Sequence, residues 1–216
     1  RALLGLLHSI DYSSYDVTLK LTQKRGELLS AIPAQVKVSE ITSIKNNWAV
    51  FNKPLLPQIR PLLGRNLLTG LRFLTDFIKY QITGHYHSLF RHVLEKETDE
   101  YDLAISYAGP SSLLDYYVAN CVSARKKVAW VHFDVDKCGI NRRSEQLLYR
   151  KFDKLFVVSD EGKRKFDLMF PTESCKSEIF HNIIDSKEIR RLSESETPDF
   201  KHDCINIVTV GRISRE

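Results

Sequence analysis

The chain has 216 residues, of which 43% are hydrophobic and 27% charged, which is enough apolar material for a full core and excludes a disordered or fibrous chain. The net charge of +5 is modest for this length, so a basic partner surface can arise only by local clustering. No apolar run approaches the roughly 20 residues that a membrane span needs, and residues 1–7 form no export signal, which favours a cytoplasmic location.

The first part of the chain shows one helix pattern and two strand patterns. Residues 1–7 carry leucines at helical spacing and predict a helix. Residues 15–21 and 35–41 alternate apolar and polar residues, as half-buried strands do, and Pro33 marks a turn between them. A helix followed by two strands indicates an α/β opening.

From residue 101 onwards the pattern becomes regular. Short apolar strands joined by helices indicate a parallel sheet covered on both faces, because parallel strands need crossover connections. We therefore predict an α/β fold with a doubly wound, Rossmann-like parallel sheet. The predicted strands are 103–107, 127–133, 155–159, 178–184 and 205–210, and the predicted helices are 111–122, 143–152, 161–169 and 187–193.

Parallel α/β sheets bind ligands in the crevice beyond the carboxyl ends of their strands, so residues that follow strands are the candidates. His132 ends one predicted strand, and its imidazole could hydrogen-bond a sugar hydroxyl or a phosphate; the alternative is a structural histidine bonded to backbone. Tyr107, Gly109 and Ser111 follow the preceding strand. There, glycine allows close approach and helix amides favour a polar ligand, unless the segment is only a tight turn capped by Ser111.

Two later strand ends carry polar residues of different kinds. Ser159, followed by two acidic residues, is typical of a helix N-cap. Gly211 and Arg212 follow the predicted strand 205–210. A guanidinium with two parallel donors can stabilise the charge on a departing diphosphate; the alternative is an exposed arginine with no ligand.

The sequence offers little for a metal ion. Asp134 and Asp136 could bind a divalent cation or orient an acceptor hydroxyl, but a loop pair of carboxylates is more often exposed or helix-capping. His85 and His87 lack further ligands nearby in the sequence. We expect no metal, no covalently bound cofactor and reduced thiols, because no Cys-x-x-Cys pair occurs among Cys121, Cys138, Cys175 and Cys204.

Residues 53–92 form the most basic stretch of the chain, in which leucine and phenylalanine alternate with six basic residues against the single acid Asp76. Such helices can lie on an anionic leaflet, where each nearby Lys or Arg contributes about 1 kcal/mol. The alternative is a helix pair packed over the sheet with its charges solvated. The candidate membrane contacts are Arg60, Arg65, Arg72 and Lys79.

Three stretches, taken in order, resemble the family-four glycosyltransferases of the GT-B fold, particularly those that build capsular and other cell-surface polysaccharides. The first is RALLGLLHSIDYSSYDVTLKL at residues 1–21. The second is KKVAWVHFDVDK at 126–137 with KLFVVSDEGKRKF at 154–166. The third is IFHNIIDSKEI at 179–189 with INIVTVGRISRE at 205–216. Residues 45–100 show no resemblance to the family.

The resemblance implies a domain order. Residues 1–196 would be the acceptor domain, 197–204 a linker, and 205–216 the start of the nucleotide-sugar-binding domain. The family's first strand and Gly-Gly loop would lie upstream, so we expect additional chain there. Without that strand, which would lie near the middle of the sheet, two long hydrophobic strand edges would be exposed.

The resemblance also implies an activity and site roles. A histidine at the place of His132 lies at the family's active site, and residues like Gly211 and Arg212 hold the donor diphosphate together with a Lys expected beyond Glu216. The cleft would include Tyr107 and Asp134, with Gly109 and Ser111. The donor would be a UDP- or GDP-sugar and the acceptor a saccharide or a lipid-linked sugar at the inner face of the cell membrane, with retention of configuration. We expect this chain alone not to turn over donor.

Two other classes of function remain to be compared. A non-catalytic sugar- or nucleotide-binding α/β module would share the same fold class, since fold alone does not prove turnover. A nucleic-acid-binding protein would use the basic stretch, but no stacking aromatics interleave on a strand and no reading motif occurs. We therefore expect no nucleic acid partner.

Overall fold

The computed structural model describes most of the chain. Contacts divide the chain into two compact units, Arg1–Ile183 and Ile184–Glu216. The predicted domain boundary near residue 196 and the linker after it stay predictions. The described residues are 2–41, 67–85, 87–92, 94–110, 112–137, 139–195, 203 and 205–207, with the backbone alone of Glu188.

Helices and strands alternate along the first unit, and α7 (Ser186–Ser195) belongs to the second. The strands are β1 (Thr18–Leu21), β2 (Lys37–Glu40), β3 (Glu100–Ser106), β4 (Ser123–Val131), β5 (Lys154–Val157) and β6 (Ser177–Ile179). The other helices are α1 (Ala2–His8), α2 (Leu67–Thr83), α3 (His87–Phe90), α4 (Leu113–Asn120), α5 (Arg142–Tyr149) and α6 (Asp160–Met169). Short 3-10 turns occupy Glu27–Ala31 and Ser174–Lys176.

All described strands pair in parallel, which confirms the predicted α/β class with parallel sheets. β1 pairs with β2, and β3, β4, β5 and β6 form a second sheet in that order. Each neighbouring pair in the second sheet is joined through one of the helices α4, α5 and α6. Such crossovers are what parallel neighbours require.

The core lies between the second sheet and these helices. Ala129 and Leu155 of the central strands have no solvent exposure. Their helical neighbours in the core are aromatic, and the rings of Tyr149 and Phe170 meet edge to face at 5.2 Å between centroids. Large aromatic rings bury much apolar area for one side chain, so this layer fixes how the helices lie on the sheet.

A row of aromatic side chains crosses the second sheet through β4 and β5. Trp130 lies 4.8 Å between ring centroids from Phe156 and 4.8 Å from Phe180. The ring of Tyr107 continues the row at 5.1 Å from Trp130. Because Tyr107 directly follows β3, the row reaches the carboxyl end of the sheet.

Among the described residues, the edges of the four-stranded sheet are β3 and β6, and β1 and β2 are both edges of the two-stranded sheet. On β3, Leu103 is 50% exposed and Ile105 is 42% exposed. An ion pair of 2.5 Å joins Lys20 on β1 to Glu97, just before β3. The prediction of a further strand in this sheet is not tested by these contacts.

Two predicted strands differ from the structure. The strand predicted over 178–184 ends at Ile179, because its neighbour β5 ends at Val157 and offers no further backbone partners beyond the bond from the Phe180 amide to the Val157 carbonyl. Residues 205–207 of the predicted strand 205–210 are exposed and do not lie in a strand, and its other residues lie outside the described part. No described helix is long and apolar enough to cross a membrane.

Candidate functional site

The carboxyl ends of β3 and β4 bring the predicted crevice residues together. Tyr107 follows β3 and His132 follows β4, and these strands are neighbours in register through Ser106 and Ala129. The two rings meet edge to face with centroids 4.3 Å apart. A tyrosine and a histidine therefore lie side by side at the carboxyl end of the second sheet, the edge at which the ligand crevice was predicted.

His132 is held in its neutral form. Burial lowers the pKa of its imidazole below the usual value, because a charged ring is poorly solvated there. Its Nε2 atom is buried and has no hydrogen-bond partner among the described residues, although the side chain as a whole is only partly buried. A ligand that reaches Nε2 must displace part of this covering, to which the Tyr107 ring belongs, and would then supply the missing hydrogen bond.

Gly109 lets the loop after β3 pass close to the end of β4. Its φ angle is +92°, which side chains rarely adopt. A Cβ at this position would lie 3.0 Å from Cδ2 of Phe133 and 3.8 Å from the backbone nitrogen of His132. A side chain at position 109 would therefore press on the Phe133 ring and would also be strained by the positive φ angle.

The N-cap of the helix that follows this loop is one residue later than in the tight-turn alternative, which placed it at Ser111. The Ser112 side chain accepts a hydrogen bond of 3.0 Å from the Leu114 amide and is the N-cap of α4. The prediction of a cap at Ser111 is therefore wrong, and Ser111 lies outside the described residues. Ser159, in contrast, caps α6 by accepting from the Gly162 amide at 3.1 Å, which confirms that prediction.

Asp134 and Asp136 share a lysine of α6. Lys165 Nζ lies 2.9 Å from Oδ2 of Asp134 and 3.2 Å from Oδ2 of Asp136. The hydrogen bonds that Lys165 donates to these carboxylates raise the pKa of its ammonium group. The ammonium group ties α6 to the loop after β4, and the role of Asp134 toward an acceptor stays a prediction. The described residues contain no group of three side chains that could hold a metal ion.

Two of the four predicted membrane contacts can be placed. Arg72 and Lys79 are exposed on α2, whereas Arg60 and Arg65 lie outside the described residues. α2 also presents a stripe of exposed apolar side chains along one face, from Leu67 at 67% exposed to Ile82 at 78%. Its members recur at the spacing of one helix face and are Leu67, Leu71, Leu74, Ile78 and Ile82.

Gly211 and Arg212, the predicted diphosphate ligands, lie outside the described residues. The residues of the predicted crevice that the structure describes therefore all follow β3 or β4. Their place in the GT-B arrangement remains an expectation from the resemblance.

Sequence reasoning missed a buried acid beneath the crevice. Asp115, in the first turn of α4, is 1% exposed and accepts a hydrogen bond from the hydroxyl of Ser106, the last residue of β3. Burial raises its pKa to about 8, and the charge of Glu145 on α5 adds to the rise. The signal was present, since Asp115 shares a helix face with the apolar residues Val118 and Ala119.

Comparison of the chain with protein-family models gives no match, and comparison with curated proteins gives none either.

Proposed function

We propose that this chain is the acceptor-side domain of a nucleotide-sugar-dependent glycosyltransferase that acts in surface polysaccharide synthesis. The observation that carries the proposal is the neutral His132 imidazole beside Tyr107 at the carboxyl end of a parallel sheet. This is the edge at which α/β sheets bind ligands. The donor is a UDP- or GDP-sugar, the acceptor is a saccharide or a lipid-linked sugar, and neither a metal nor a bound cofactor takes part.

The crevice residues suit a saccharide. A neutral imidazole can accept a proton or a hydrogen bond from an acceptor hydroxyl, which an imidazolium cannot do. The ring of Tyr107 offers an apolar surface to the face of a sugar, and burial raises the pKa of its hydroxyl, so that it stays a hydrogen-bond donor. In this proposal His132 contacts the acceptor hydroxyl and Tyr107 holds the sugar ring.

The indole N–H resonance of Trp130 provides the test, because this ring contacts Tyr107. We expect acceptor-type oligosaccharides to shift that resonance in NMR titrations, and His132→Ala to weaken the binding at least tenfold. Transfer is then followed in the natural protein as release of UDP or GDP from a panel of sugar nucleotides. His132→Ala should lower that release at least a hundredfold.

A matched control is His181→Ala, since this exposed histidine also follows a strand of the same sheet. It should leave both readouts near the native level. Saccharide binding without release of nucleotide from any donor would instead support the non-catalytic binding module. Absence of any saccharide effect on Trp130 would remove the acceptor assignment.

We also propose that α2 lies on an anionic membrane surface, where a lipid-linked acceptor would be found. The stripe from Leu67 to Ile82 is exposed, although a helix in a globular domain ordinarily turns such a face inward. Arg72 and Lys79 lie together on one flank of that stripe, as in helices that bind anionic leaflets. The apolar face would enter the lipid and the two cations would meet the headgroups.

Sedimentation with liposomes tests this contact. Replacing Leu71 and Ile78 by Asn removes two of the five side chains of the stripe, and we expect at least tenfold weaker binding to vesicles rich in phosphatidylglycerol. The control is Leu168→Asn on α6, a side chain that is 68% exposed but lies outside the stripe. Equal vesicle binding by the Leu71→Asn/Ile78→Asn variant and the Leu168→Asn variant would contradict the proposed contact.

A further inference from the structure

A cavity of about 450 Å³ lies between α2, α3, α4 and α5, on the helix side of the second sheet. It is lined in part by Lys79, His85, Tyr116, Asn120, Leu147 and Lys151. None of the crevice residues Tyr107, Gly109 or His132 lines it. The volume falls within the range of small-molecule sites, so the cavity is a separate candidate for binding.

Four side chains that line this cavity can carry a positive charge. Lys79, Lys151, His85 and His87 contribute to the lining, which includes no Asp or Glu. Neither lysine forms an ion pair with a carboxylate among the described residues. The ammonium group of Lys151 instead donates to Oδ1 of Asn120, another lining residue, and is thereby held at the cavity. An anion is therefore the electrostatically matched occupant.

A buried acid that does not line the cavity contacts one of these groups. Glu145 on α5 is fully buried, and its Oε1 lies 3.4 Å from Nε2 of His87. Glu145 thus contacts His87, but it is not part of the lining that the lysines belong to. His85 is held separately, with its Nδ1 2.5 Å from the Ser144 hydroxyl.

Part of the remaining wall is apolar, and two of the lining residues on α2 are sequence neighbours of stripe residues. Tyr116, Leu147 and Leu148 line the cavity, and Leu147 is 55% exposed at its rim. On α2, Lys79 directly follows Ile78 of the stripe, while Thr83 directly follows Ile82. An occupant with an anionic head and an apolar chain would meet both kinds of surface at once.

We propose that this cavity binds the phosphate head of an anionic phospholipid, with Lys79 and Lys151 contacting the phosphate and the acyl chain lying along Leu147. The proposal rests on the membrane contact proposed for α2. It adds a specific lipid site to that contact, one that could keep α2 on the surface by charge as well as by apolar burial.

Calorimetry with dihexanoyl phosphatidic acid, below its micelle concentration, tests the site without a membrane. We expect the native chain to bind this lipid, and Lys79→Gln/Lys151→Gln to bind it at least tenfold more weakly. Lys37→Gln/Lys96→Gln removes the same charge from two exposed lysines that do not line the cavity, and it should bind as the native chain does. Equal binding by the two double variants would overturn the proposal.

Two further ligands test whether the cavity recognises an anionic phospholipid or another phosphate compound. Dihexanoyl phosphatidylcholine should bind at least tenfold more weakly if the anionic head is recognised, and sn-glycerol 3-phosphate should do so if the acyl chain matters. Binding of sn-glycerol 3-phosphate as tight as that of the lipid would overturn the lipid assignment in favour of a free phosphate ester. Leu71→Asn/Ile78→Asn separates the two proposals, because it should lose vesicle binding yet retain the short-chain lipid.

Discussion

Replacing Asp115 by asparagine is expected to stabilise the protein at pH 7 by about 2–4 kcal/mol. The native carboxyl keeps its proton up to a pKa of about 8, whereas the unfolded carboxyl loses it near 3.8. Folding therefore takes up a proton between these values, and the free energy of unfolding falls as the pH rises through them. Asparagine removes that cost, because its amide does not ionise and its oxygen can still accept from Ser106.

Urea unfolding at pH 5, 7 and 8.5 measures the effect. The stability gained by Asp115→Asn should grow with pH up to about 8 and then level off. Asp153→Asn gives the opposite sign at neutral pH, since hydrogen bonds from Lys126 and from the Lys127 amide lower the pKa of the Asp153 carboxyl. A gain from Asp115→Asn that does not vary with pH would show that this acid is not held neutral in the native state.

The sequence predicted where Tyr107 and His132 lie, because the position of a residue that follows a strand is set locally, while their role toward a ligand stays a prediction. The apolar run at 128–131 had to be buried in the sheet, so the next residue, His132, had to emerge at its carboxyl end. Gly109 and the cap at Ser159 follow from backbone chemistry that operates within a few residues. Such features depend on neighbours along the chain, which a single sequence displays.

The cavity and the buried acids could not be predicted in the same way. The cavity draws on four helices that are separated by up to 72 residues, from Lys79 to Lys151, and no local pattern joins them. Asp76 was interpreted as one acid among exposed cations, yet it is 2% exposed. A single sequence does not show which predicted elements pack together. That packing decides which charged side chains are buried.

Removing the carboxylate of Asp76 is expected to release α2 from the domain. Asp76 Oδ2 lies 2.7 Å from Nε2 of His92 and also pairs with the guanidinium of Arg91. One buried acid therefore ties the middle of α2 to the two residues that directly follow α3. Asp76→Ala leaves the largely buried His92 without this partner, and we expect a loss of about 3 kcal/mol in the free energy of unfolding.

The loss should be local as well as global, because Asp76 and Phe73 are the two side chains that α2 buries among the described residues, and the ring of Phe73 meets that of His92 at 5.4 Å. Hydrogen exchange measured by mass spectrometry should show faster exchange in peptides covering 67–83 than in those covering β4 and β5. Asp102→Ala is the control, since its ion pair with Arg125 is exposed and worth at most about 1 kcal/mol. If exchange in α2 were as slow in Asp76→Ala as in this control, the buried carboxylate would not be what holds α2 in place.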